Sequence, residues 1–274
     1  MEQAKAFGKQ LFEKITEHDV FGTAAQLAYF FLLSLFPFLL FLMTLVAYIP
    51  MDDQVIMEAI ATYAPGGIAD MINENVSELV DNRNGSLLSI GLIGTLWSAS
   101  NAIKAIMKGF NEAYEVEEDR SFIVARLIAV ILTLAMFFVI CMAFLLPVFG
   151  KIIGEFLFTF VGLSEGFLSV WETLRWVISS VTFFIVLLAL YKLAPNRKVY
   201  FKYAVWGALF ATVSWQLVSL AFSYYVNSMG NYAATYGSLG TVIVLMIWFY
   251  LTGIIILIGG VINAVLRKNN IEQN

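Results

Sequence analysis

Residues 203–266 contain no Asp, Glu, Lys, Arg or His, although 13% of the whole chain is charged. At that frequency about eight charges would be expected in these 64 residues. Hydrocarbon excludes ionised side chains because inserting one costs roughly 2.5–3.5 kcal/mol. A helix needs about 20 apolar residues to cross a bilayer, so the stretch suits two crossings and a connecting loop. The polar but uncharged run 227–240, rich in Gly, Asn, Ser and Tyr, is predicted to be that loop.

The rest of the chain has the composition of an integral membrane protein. Apolar residues make up 60% of it, above the roughly 45–50% of soluble domains. No internal repeat or long linker divides the sequence, so one membrane domain over residues 1–274 is expected, in an all-α fold. Hydropathy windows predict six transmembrane helices, near residues 24–49, 86–103, 127–150, 176–191, 203–226 and 241–266.

The distribution of lysine and arginine predicts the orientation of these spans. Thirteen of the 16 basic residues lie in the N-terminal segment, in the loops 104–126 and 192–202, and in the C-terminal tail. Six spans place all four segments on one side, and an excess of cations marks the cytoplasmic side. Both termini are therefore predicted to be cytoplasmic.

Three segments outside the spans are predicted to be amphipathic helices at the membrane surface. Residues 1–19 carry an apolar stripe beside three lysines and are expected on the cytoplasmic face. The outer loop 52–85 holds seven acids and one base, with apolar residues at helical spacing. Residues 156–171 are apolar but contain Glu165, so an interfacial or re-entrant helix is favoured over a seventh span.

Titratable groups that could perform enzymatic chemistry are scarce. The only histidine, His18, lies outside the spans, and no phosphate-binding loop, dinucleotide fingerprint or hydrolase motif occurs. The single cysteine, Cys141, excludes an intramolecular disulfide. A net charge of −4 argues against a nucleic-acid partner. No enzyme activity, cofactor or metal is therefore expected.

Polar groups at membrane depth are the remaining candidates, because they either join helices or line a substrate path. The second span carries small and polar residues at intervals of three and four: Gly91, Gly94, Ser98, Asn101, Ala105 and Lys108. Close packing explains the glycines, and the inner end could instead line a basic cytoplasmic mouth. For Gln216 and Asn263, interhelical hydrogen bonding and substrate contact both stay open.

Several segments together resemble the YihY/BrkB family of bacterial inner-membrane proteins. They are TAAQLAYFFLLSLFPFLL from Thr23, LWSASNAI from Leu96, FNEAYEVEEDRSFIVARL from Phe110, LAPNRKVYFK from Leu193, NYAATYGSLG from Asn231 and GGVINAVL from Gly259. The resemblance implies six membrane helices in the bacterial cytoplasmic membrane. Family members have been linked to virulence, serum resistance and envelope lipid export.

Two features of the family need comment for this chain. An older label calls some members ribonuclease BN, but metal-assisted RNA hydrolysis needs a His/Asp cluster that this sequence lacks. The family commonly has an acidic residue two positions before the asparagine of its last motif, where this chain has Val261. Proton coupling through that position is therefore not expected.

The leading hypothesis is a transporter or flippase-like protein for an amphipathic, anionic cell-envelope lipid or lipid-linked molecule. The alternative is a non-transporting scaffold for envelope or division proteins, with the loop 104–126 as its docking surface. The acidic residues of that loop are Glu115, Glu117, Glu118 and Asp119, beside Arg120. Membrane lipids are the expected partners in either case. Candidate substrate-path or packing residues are Gln26, Ser98, Asn101, Lys104, Lys108, Arg197, Gln216, Asn231, Tyr232, Tyr236, Gly237 and Asn263.

Overall fold

The predicted all-α fold is confirmed in the computed structural model, which describes residues 2–46, 85–139, 166–228 and 238–272. The described residues form seven helices and no strand. We label these helices in chain order as α1 Glu2–Glu17, α2 Val20–Val46, α3 Gly85–Ala113, α4 Phe122–Val139, α5 Gly166–Leu193, α6 Phe201–Ser228 and α7 Ser238–Glu272.

All six predicted spans correspond to helices that are long and apolar enough to cross a membrane. The qualifying stretches are Val20–Phe41, Gly85–Ala113, Phe122–Val139, Trp176–Leu193, Phe201–Val226 and Val242–Asn270. The prediction of six transmembrane helices is therefore confirmed, and the cytoplasmic placement of the termini remains a prediction from the charge distribution.

Some helices extend beyond the limits that hydropathy predicted. Helix α3 continues to Ala113, so the predicted loop 104–126 is reduced to the connector 114–121, which joins α3 to α4. Hydropathy marks where charges begin, but a helix continues past that point because Lys and Glu are good helix formers.

The segments predicted to lie at the membrane surface have different outcomes. Residues 1–19 do contain a helix, α1, and its contact with headgroups remains a prediction. Residues 166–171 belong to the same continuous helix as the fourth span, so they do not form a separate surface element. The outer loop 52–84 and residues 156–165 lie outside the described residues.

The chain divides into two compact units. The smaller unit, Phe31–Ala99, contains the end of α2 and the start of α3. A side chain at Gly91 would meet the backbone of Phe41, and one at Gly94 would lie 3.2 Å from Pro37, which is inside α2. The packing interpretation of these two glycines is therefore the one that the structure supports.

The larger unit, Met1–Phe30 with Ser100–Asn274, is held together by close contact of α6 and α7. A side chain at Gly207 would overlap the Asn263 amide and the carbonyl of Gly259. The backbone N–H of Gly207 donates to Asn263 Oδ1 at 2.7 Å, and Asn263 is fully buried. Small residues that admit such close approach are typical of membrane helix interfaces.

A second buried hydrogen bond ties α5 to α7. The hydroxyl of Tyr191 donates to the carbonyl of Ile256 at 2.9 Å, and its ring packs on Phe110 with centroids 5.2 Å apart. Gly259 and Gly260 lie against these two rings, where a methyl group would overlap them. The glycine pair of the GGVINAVL segment therefore admits two aromatic side chains from neighbouring helices.

Gly207→Ala is expected to destabilise the protein by about 1–3 kcal/mol, because the added methyl group meets backbone that cannot move aside. The measurement is the thermal unfolding temperature of the purified protein in detergent. Gly8→Ala is the matched control: nothing lies within 4 Å of the added methyl group, so it should leave this temperature unchanged or raise it. Equal effects of both substitutions would contradict the proposed close contact.

Candidate functional site

One cavity of about 550 Å³ lies within the larger unit and contains four of the predicted site residues. It is bordered by α2, by the second half of α3 and by the beginning of α4. Its lining residues are Gln26, Phe30, Asn101, Lys104, Ala105, Met107, Lys108, Asn111, Glu112, Val116, Glu118 and Ala125.

The helical periodicity of α3 brings the polar lining residues together. Asn101, Lys104 and Lys108 are separated by three and four residues, so they project from one face of the helix. Asn101 Oδ1 accepts a hydrogen bond from Arg126 of α4 at 2.8 Å. Lys104 is half-buried, with its ammonium 5.0 Å from the centre of the Phe122 ring. The predicted small and polar face of the second span therefore has two parts. Gly91 and Gly94 pack against α2, whereas Asn101, Lys104 and Lys108 line the cavity.

The connector 114–121 forms one side of the cavity through a network centred on Asn111. Asn111 is buried at the end of α3, and its amide nitrogen donates to Glu118 Oε2 at 2.9 Å. Its amide oxygen accepts from the backbone N–H of Asn196 at 2.6 Å. Asn196 in turn donates to the carbonyl of Glu117 and to the carboxylate of Asp119. One buried asparagine thus joins the connector to the segment between α5 and α6.

Arg120 completes this network with a two-pronged ion pair. Its Nε and Nη2 donate to the two carboxylate oxygens of Glu118 at 2.6 and 2.7 Å. Nη2 also donates to the carbonyl of Ala194 at 2.8 Å. These hydrogen bonds, first from Arg120 and then from Asn111, hold the pKa of Glu118 below its ordinary value of 4.5. The carboxylate is therefore ionised and fixed at neutral pH.

Helix α1 is attached to the same connector by a buried lysine. Lys14 is 9% exposed, and its ammonium donates to Glu115 at 2.7 Å and to the carbonyl of Ala113 at 3.2 Å. Glu115 also lies 3.7 Å from Lys268 of α7 and has a left-handed φ of 54°, which ends α3. The hydrogen bond from Lys14 lowers the pKa of Glu115. Lys14 was not among the predicted site residues.

The other predicted site residues lie away from this cavity. Gln216 donates to Ser180 of α5 at 2.9 Å and Asn263 binds Gly207, so both form the interhelical hydrogen bonds expected of packing amides. Arg197 is exposed, and Ser98 is half-buried in the smaller unit. The four candidates of the predicted outer loop lie outside the described residues; they are Asn231, Tyr232, Tyr236 and Gly237.

Sequence reasoning missed the residues that build the connector, namely Asn111, Asn196 and Arg120. Asn111 and Asn196 are 85 positions apart, and no periodicity relates them. The only signal in the sequence is that both occur in segments quoted for the family resemblance, FNEAYEVEEDR and LAPNRK.

Comparison with known proteins decides the family. The model of the family described as Virulence factor BrkB matches residues 11–274. The chain belongs to the BrkB family. Among BrkB-like relatives, a Bacillus subtilis protein, YfkH, is 51% identical over 96% of both chains. Its name describes it, provisionally, as ribonuclease-like. UPF0761 membrane protein IL2447 of Idiomarina loihiensis is 27% identical over 92% of this chain and 87% of its own length.

These findings confirm the predicted family resemblance. The names of the UPF0761 relatives and the six apolar helices identify this BrkB protein as a multi-pass bacterial membrane protein. No solved structure matches the chain. Within the described residues no group of three His, Cys, Asp or Glu side chains is placed to hold a metal ion. The absence of enzyme activity stays a prediction.

Glu118→Gln is expected to lower the unfolding temperature at neutral pH. Because its folded pKa is depressed, ionised Glu118 stabilises the fold above pH 4.5, and that contribution disappears as the pH falls through the folded pKa. The difference in unfolding temperature between wild type and Glu118→Gln should therefore be largest at neutral pH and should shrink as the pH is lowered. Thermal unfolding at stepped pH measures it.

The neighbouring acid Glu117 provides the control for this experiment. Its side chain makes no hydrogen bond or ion pair within the described part of the chain, although its backbone carbonyl accepts from Asn196. Glu117→Gln should leave the unfolding temperature close to that of wild type at every pH. A difference in unfolding temperature for Glu118→Gln that does not narrow as the pH is lowered to acid unfolding would contradict the ion-pair explanation.

Proposed function

We propose that this protein moves an amphipathic cell-envelope lipid or lipid-linked molecule, with the cavity on α3 as the site for its headgroup. The observation that carries the proposal is a cavity of about 550 Å³ that combines polar and apolar lining residues and is bordered by apolar candidate spans. Pockets that bind small molecules have volumes of roughly 300–1,000 Å³ and combine apolar walls with a few polar groups. Polar residues at membrane depth commonly mark a substrate pathway.

The composition of the lining supports an amphipathic ligand. Gln26, Asn101 and Lys104 supply hydrogen-bond donors, whereas Phe30 and Met107 supply apolar surface on the same cavity. A headgroup bound to the donors could keep its acyl chains in the surrounding hydrocarbon. This division of the lining fits a lipid better than a wholly water-soluble solute.

The alternative function, a scaffold that docks partners on the acidic connector, has less support. Such a surface would need free carboxylates, but Glu115 is bound by Lys14 and Glu118 by Arg120. Asp119 accepts a hydrogen bond from Asn196. The charges of the connector are therefore largely used within the chain.

Reconstitution into vesicles with fluorescent phospholipids tests the proposed function. Wild-type protein is expected to make labelled lipid of the inner leaflet accessible to an impermeant quencher, whereas Asn101→Leu should slow this movement at least about tenfold. The leucine removes one donor from the cavity and also the amide oxygen that accepts from Arg126.

Gln216→Leu is the matched control for Asn101→Leu. It also removes an amide at membrane depth, but this amide binds Ser180 and does not line the cavity. The control should keep lipid movement and lose only thermal stability. The proposal would be refuted if both variants lost lipid movement equally. It would also be refuted if the wild-type protein moved no envelope lipid.

A further inference from the structure

Three donors on the cavity have one property in common, which is that no described protein group accepts a hydrogen bond from them. Lys104 forms no hydrogen bond or ion pair within the described residues, and its contact there is with the Phe122 ring. Gln26 makes no hydrogen bond in the same described part. Asn101 uses its oxygen for Arg126, and its amide nitrogen has no acceptor among the described side chains and backbone. Three donors that lack a protein acceptor therefore line one cavity.

The other charged groups on the lining are already neutralised by partners. Lys108 and Glu112 form an ion pair at 3.7 Å one helical turn apart. Glu118 is held by both prongs of Arg120. Lys104 is thus the one cation lining the cavity that lacks a carboxylate partner within the described chain, so the lining offers a ligand one uncompensated positive charge.

We propose that this cavity binds the phosphodiester of a glycerophospholipid headgroup; this inference rests on the proposed function and specifies its substrate class. A phosphodiester carries a single negative charge that matches Lys104, and its two non-bridging oxygens can accept from the ammonium and from the amides of Asn101 and Gln26. Phe30 and Val116 provide apolar surface for the glycerol carbons.

A phosphomonoester fits the same lining less well. It carries about 1.5 to 2 negative charges at pH 7, so it would need a second free cation. The carboxylates of Glu112 and Glu118 lie on the same cavity and would repel the extra charge. A fatty-acid carboxylate has the same charge and also two charged oxygens, but it lacks the glycerol carbons for which Phe30 and Val116 provide apolar surface. The sequence predicts only an anionic ligand, whereas the charges on the lining favour a diester with a single negative charge.

Binding to the purified full-length protein in detergent tests the inference without requiring transport. The probes are phosphatidylglycerol as the diester, phosphatidic acid as the monoester and oleate as the carboxylate, with retained ligand counted by native mass spectrometry. Wild type should retain phosphatidylglycerol at least about tenfold better than the other two. Lys104→Gln should lose about tenfold in affinity for phosphatidylglycerol, and Lys104→Arg should largely keep it.

Lys198→Gln is the control, because Lys198 is an exposed lysine that does not line the cavity. It should bind phosphatidylglycerol like wild type. A preference for phosphatidic acid or oleate, or equal binding by wild type and Lys104→Gln, would overturn the inference. If binding depends on Lys104 but no lipid moves in vesicles, the proposed ligand is upheld and the proposed transport is refuted. If lipid moves equally well without Lys104, transport is upheld and the proposed ligand is refuted.

Discussion

Every polar group that leaves water must find a partner inside the chain, and in hydrocarbon this requirement decides which helices can touch. The amide oxygen of the fully buried Asn263 meets it by accepting from the backbone N–H of Gly207, although the amide nitrogen has no partner among the described residues. Tyr191 meets it by donating to the carbonyl of Ile256. Both bonds need backbones that approach closely, which the glycines of α6 and α7 allow. The arrangement of the larger unit depends on these few hydrogen bonds as well as on apolar contact.

The sequence predicted the helices well and their partners poorly. Hydrocarbon excludes charge along a whole segment, so the number and approximate limits of the spans are visible in composition alone. The inner end of α3 was placed at residue 103, whereas the helix reaches Ala113, because a helix can continue after its charges enter water. Contacts such as Asn111 with Asn196 leave no periodic trace, since they join segments that are distant in the chain.

The candidate site illustrates the same division. Helical spacing correctly grouped Asn101, Ala105 and Lys108, because residues on one face of one helix are related by sequence distance alone. The closeness of Gln26 on α2 to these residues depends instead on packing between segments. The number of basic residues in the sequence indicates a cationic region at the inner end of α3. Only the ion pairs of the structure show that Lys104 is the lining cation without a carboxylate partner among the described residues.

The attachment of Lys14 has a consequence for the order of folding. Its acceptors Ala113 and Glu115 lie about a hundred positions further along the chain. Because synthesis proceeds towards the C-terminus, α1 cannot form these bonds until α3 and the connector have been made. Lys268 of α7, which also lies near Glu115, is made later still. The cluster of Lys14, Glu115 and Lys268 therefore joins segments that are made at three different times, and it is complete only when α7 is in place.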